Sequence, residues 1–124
     1  MTKPSASIRK IAGQLLAVEA ARRTDADEHE ALLVCEKLRG TLTRVAGAEG
    51  FIALMRRSLA LAKSDLPRLE DVTMRADGCV DGLEEAGADA GIALTAHFLW
   101  LMATFMGEPI VIWLVSETWP DEKI

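Results

Sequence analysis

Only two side chains in the most apolar stretch of this chain can carry charge. They are His97 and Glu108, inside residues 92–115, IALTAHFLWLMATFMGEPIVIWLV. Eleven residues apart, they share a face on an unbroken helix but lie about 16 Å apart along its axis. That is too far for direct proton transfer. An acid/base pair or a metal site would need further groups from elsewhere in the chain. A histidine hydrogen-bonded inside a bundle and a glutamate opening a second helical arm explain both residues more simply. The other histidine, His29, sits among acids, and neither HExxH nor ExxH spacing occurs. GxxxxGK[ST], GxGxxG and GxSxG are also missing, so phosphate cradles and serine nucleophiles have no support.

A second cluster begins at Asp77. With Cys79, Asp81 and Gly82 it imitates the opening of a calcium-binding EF-hand loop. The imitation fails at the ligands: the third position is Cys79, and the twelfth, which needs a bidentate glutamate, is Ala88. A hairpin turn at Asp77-Gly78 explains the same residues without a metal. Cys35 and Cys79 form no CxxC pair, and no secretory leader is legible at the start. The expectation is a cytoplasmic chain with two reduced thiols, Cys35 acting as a small buried hydrophobe. No catalytic residue, metal site or cofactor is expected.

What positions these residues is mainly helix. Hydrophobic residues make up 50% of the 124, enough apolar material for one domain spanning 1–124 with a real core. Residues 1–62 carry 10 basic and 7 acidic side chains, residues 63–124 carry 4 and 12. The acidic second half argues against nucleic acid, whose phosphates need a basic surface.

A first helix is expected over 5–23, capped by Ser5 or Ser7, with Ile8, Ile11, Ala12, Leu15 and Leu16 as its buried stripe. Arg9, Lys10, Gln14, Glu19, Arg22 and Arg23 fall off that stripe. A second begins near Asp25, with Asp25 and Glu28 as a capping box. It buries Ala31, Leu32, Val34, Cys35, Leu38, Leu42 and Val45, and Gly40 marks a close helix crossing. Gly47 and Gly50 bracket a short connection through Ala48-Glu49. The third helix, 50–64, then packs back as an antiparallel hairpin. After Pro67 a two-stranded hairpin is expected, 71–75 with 79–83. The apolar stretch follows as a fourth helix, which kinks or restarts at Gly107-Glu108-Pro109. A second arm, 108–119, precedes a frayed polar tail. The fold class is therefore mainly α: a bundle of four to five helices with a small β-hairpin between helices three and four.

The 24-residue stretch is long enough to span a membrane. Glu108 and Pro109 interrupt it, however, and acidic flanks replace the Lys/Arg cluster that would orient it. Three preceding amphipathic helices also need an apolar partner. A central core helix is the better reading, with membrane association as an alternative.

Residues 110–115 are all apolar, more than one helical turn, so they point to every side. One side is expected to meet another protein or a second copy of the chain, giving a homodimer. Ile110, Trp113, Leu114, Glu117 and Trp119 are the candidate interface residues, the two tryptophans being good anchors. A ligand-binding or enzymatic bundle using His97 and Glu108, with Cys79, is the alternative.

Four segments, VCEKLRGTLTRVAGAEGF, LALAKSDLP, RADGCVDGLEE and ATFMGEPIVIWLVSETWPD, cover most of residues 30–121. Together, and in this order, they resemble a group of small uncharacterised bacterial helical proteins. The resemblance implies a bacterial source and a shared helical fold. The group has no assigned activity, so the resemblance assigns no site.

Overall fold

A computed structural model describes residues 4–22 and 30–122. Five helices follow one another: α1 (Ala6–Arg22), α2 (Glu30–Asp65), the single turn α3 (Leu83–Ala86), α4 (Ala88–Met106) and α5 (Glu108–Thr118). Between α2 and α3 lie a 3-10 turn, Pro67–Leu69, and a two-stranded antiparallel hairpin of β1 (Thr73–Met74) and β2 (Val80–Asp81). The mainly α class and the place of the hairpin are as the sequence implies. The capping box at Asp25 and Glu28, with Arg23 and His29, lies outside the described residues.

α1 starts where a hydroxyl can satisfy its first free donors: Ile8 N–H donates to Ser5 Oγ at 3.3 Å. Ile8, Ala12, Leu15 and Leu16 are buried as their spacing requires. Glu19 is the correction on this helix. It is buried too, on the same side as the stripe, because it has polar partners inside the fold.

α2 is one element by hydrogen bonding but two rods by shape. Its φ/ψ at Gly47 is 80°/167°, a region essentially restricted to glycine, and the chain folds back there. The guanidinium of Arg39 lies 4.7 Å from the centroid of the Phe51 ring. On a straight helix those twelve residues would span about 18 Å. Residues 30–46 and 48–65 therefore form the expected antiparallel hairpin. The connection is tighter than expected, because Gly47 alone leaves the helix and Ala48, Glu49 and Gly50 are helical. Gly40 marks no crossing: a Cβ there would meet nothing within 4 Å.

The β-hairpin is shorter than its alternating pattern suggests. Thr73 pairs with Asp81 and Met74 with Val80. Arg75 N–H donates to the Cys79 carbonyl at 2.7 Å, and Gly78 N–H to the Arg75 carbonyl at 3.0 Å. The loop thus holds three residues and ends at Gly78 with φ 92°, the arrangement of a turn followed by a bulge. Two residue pairs have little stability alone. The turn instead rests on α2, where Arg39 Nη2 donates to the Asp77 carbonyl at 2.6 Å. Gly78 lies so close to Phe51 that a Cβ would sit 3.0 Å from its ring.

α4 is the centre of the molecule and contacts α1, α2, α3 and α5. Residues 93–99 are buried without a break, so for about two turns it is covered on all sides. The Phe98 ring meets Phe51 edge-on at 5.8 Å. Gly107, at φ 92° and ψ 146°, stops α4 outright, and α5 restarts with Pro109 in its first turn, where a missing N–H costs nothing. By length and composition α4 (Asp89–Met106, mean hydropathy 1.3) could cross a membrane, but 56% of that window is buried inside the fold. A core helix passes the same test.

The end of the chain is tied down at least to Glu122, contrary to the frayed tail expected. Glu122 N–H donates to the Trp119 carbonyl at 3.2 Å, and its carboxylate meets Arg22 at 3.0 Å.

Candidate interaction face

α5 lies over α1, α2 and α4, and its six consecutive apolar residues divide by side. Val111, Leu114 and Val115 are buried, whereas Ile110, Ile112 and Trp113 face solvent at 44%, 46% and 55% exposure. Trp119 is fully buried, its indole Nε1 donating to Glu19 Oε2 at 2.8 Å. Of the five interface candidates, Ile110, Trp113 and Glu117 are on the surface. Leu114 and Trp119 belong to the core of their own chain. The correction has a simple cause: Leu114 lies on the inward edge of α5, and Trp119, just past its end, is held inward by Glu19.

Trp113 and Glu117 form one wall of a shallow cleft, with Leu114 at its base. Thr41, Arg44 and Val45 of α2 form the other. The helices are joined at this point by the Thr41 and Thr118 hydroxyls, 3.1 Å apart. Val45 is 61% exposed, although the stripe of the second helix predicts it buried. Leu42, Ala46, Gly50 and Ala53 line a second cleft of about 320 Å³, with Arg57 and, from α4, Met102 and Phe105. Phe105 is 74% exposed. Val45 and Phe105 were not legible as surface residues. Their spacing matches a buried stripe, and only the place where α2 reverses and α4 stops leaves them uncovered.

His97 and Glu108 do not form a pair. His97 is 1% exposed, with Nε2 3.6 Å from Asp65 Oδ2, and Asp65 also meets Arg9 at 3.3 Å. Burial holds the imidazole below its usual pKa, opposed by the Asp65 carboxylate. Neither ring nitrogen has a hydrogen bond of good geometry. Glu108 instead accepts from Ser7 Oγ at 3.2 Å, beside a cleft between α1 and α5. Gly107 separates the two helices that carry them.

The acids of the hairpin loop are likewise engaged locally. Arg75 grips Asp81 through two bonds of 2.8 and 2.6 Å, which holds that carboxyl below its ordinary pKa. Asp77 Oδ1 accepts from Cys79 N–H at 3.0 Å; hydrogen bonding from Cys79 holds the Asp77 carboxyl below its ordinary pKa, and Asp77 in turn raises that of the Cys79 thiol. Among the described residues no three His, Cys, Asp or Glu side chains are grouped to hold a metal ion. Burial pushes the Cys35 thiol up to about 12.

No protein-family model matches the chain, and neither curated proteins nor solved structures yield a match.

Proposed function

We propose that this chain is a cytosolic protein-interaction module of the small bacterial helical group it resembles, self-associating or partner-binding through its C-terminal apolar helix. The observation that carries the reading is Trp113, 55% exposed on a helix whose inward edge is already filled. Exposed large apolar side chains are ordinary when scattered. Here Trp113 and Val45 line one cleft between α5 and α2, and a tryptophan beside a cleft is among the side chains most often found anchoring an interface. The charges that α5 itself exposes, Glu108 and Glu117, are acidic and suit protein better than anionic lipid.

The test is the native size of the chain in lysate of its own host, set against a Trp113→Glu variant. The wild type is expected to travel in a particle larger than one copy, and the variant as a single copy with unchanged helical circular dichroism. A wild-type chain travelling as a single copy would end this reading.

A further inference from the structure

The face described above carries projecting apolar groups, recesses and charges of both signs, and we propose that its occupant is a second copy of this chain, related by a two-fold axis. This rests on the interaction-module reading and names its partner. The shape argument concerns relief. Val45, 61% exposed, stands in the wall of the Trp113 cleft, and Phe105, 74% exposed, stands in the wall of the second cleft. That cleft has small residues along its α2 wall, Ala46, Gly50 and Ala53, which leaves room for a large side chain from outside. A surface carrying both the projecting groups and the recess can exchange them with its own copy, as an isologous interface requires.

The charge argument concerns Arg44 and Glu117. They stand on opposite walls of the Trp113 cleft, Arg44 on α2 and Glu117 on α5. Both are exposed, and among the described residues neither makes an ion pair. A two-fold axis running along this cleft would set the α2 wall of one copy against the α5 wall of the other. Arg44 then faces Glu117 of the partner subunit twice over, at the rim of an apolar centre containing Trp113 and Val45. Rim charges of opposite sign fix register and suppress wrong partners. A uniformly acidic or basic patch would repel its own copy, whereas the walls of this cleft carry one charge of each sign.

The experiment is sedimentation equilibrium of the purified full-length chain over a wide concentration range. The wild type is expected to reach the mass of two copies. Arg44→Glu and Glu117→Arg should each weaken association at least tenfold, because each places like charges together twice. The double variant should recover most of the loss. Phe105→Gln, at a position with few contacts in its own chain, should also dissociate the pair without altering helical content. A wild-type chain of single-copy mass at every concentration overturns the proposal. So does a pair whose double charge variant is weaker than either single one, or a single copy that floats with phosphatidylglycerol vesicles through Trp113. If the purified chain is a single copy but still travels in a larger Trp113-dependent particle in lysate, the two-fold pair fails and the interaction module stands. A single copy in both settings removes both.

Discussion

Trp119 and Glu19, a hundred residues apart, meet inside the protein: the indole Nε1 donates to the carboxylate Oε2 at 2.8 Å. Lys37 Nζ reaches the same oxygen at 2.6 Å, so α1, α2 and the end of α5 converge on one buried acid. The carboxylate is 3% exposed while the lysine is 40% exposed, and this asymmetry decides which substitution hurts. Glu19→Gln keeps an acceptor for the indole and returns Lys37 to water, at an expected cost of about 1 kcal/mol. Lys37→Met leaves a buried carboxylate with the indole alone and should cost more, about 3 kcal/mol. Urea unfolding of the two variants measures both. Equal losses would mean that Lys37 does not hold the acid in place.

Three junctions between helices are built the same way. Gly47, Gly87 and Gly107 have φ of 80°, 95° and 92° with strongly positive ψ, where a side chain is strained whatever the space around it. Gly40 lies in the regular part of α2 with open space around it. The same replacement should therefore act with opposite sign at two positions seven residues apart. Gly40→Ala is expected to stabilise by about 1 kcal/mol, through helix propensity alone. Gly47→Ala is expected to cost about 1–3 kcal/mol, although its Cβ would also meet nothing, because the backbone itself must strain. Thermal melts would show the two shifts directly. A neutral Gly47→Ala would mean that the reversal of α2 does not depend on this conformation.

These junctions also show how much was legible in advance. Gly-Glu-Pro at 107–109 and the glycine at 47 mark breaks that the helices respect, and the stripes of α1 and α2 identify much of the core. What periodicity could not show is where an apolar stripe outruns its cover. Val45 and Leu42 belong to one stripe by spacing, yet one is 61% and the other 2% exposed, because the helices packed on α2 cover Leu42 and leave Val45 open. Glu19 failed in the opposite direction. A charged residue is placed outside by type alone, and only its contact with Trp119 and Lys37 makes the inside tolerable. Of the candidate face, Ile110, Trp113 and Glu117 were readable from α5. The α2 and α4 contributions come from tertiary structure.

The two thiols should differ sharply in reactivity. Cys35 is 3% exposed with its pKa near 12, so almost no thiolate forms at neutral pH. Cys79 is half-buried on the hairpin, and its bond to Asp77 raises its pKa as well. Alkylation at pH 8 is expected to modify Cys79 slowly and Cys35 only after unfolding. Mass spectrometry of native and urea-treated protein distinguishes the two sites. Rapid native labelling of Cys35 would contradict its place in the core.

The buried histidine gives the fold a pH dependence whose sign can be worked out. Burial lowers the pKa of His97 below 6.5, while Asp65 pulls the other way and Arg9 adds to the lowering. Well above pH 6.5 the ring is neutral in both folded and unfolded chains, and its full contribution is present. As the pH falls, the unfolded chain takes up the proton first, so stability declines toward the lowered native value. The slope is at most about 1.4 kcal/mol per pH unit for one group. His97→Leu, close in volume and without a titrating group, should hold its stability level between pH 6.5 and 5. The wild type should lose stability over the same range. His29 is common to both proteins, so the difference isolates His97. Parallel declines in urea midpoints would show that the proton is taken up elsewhere.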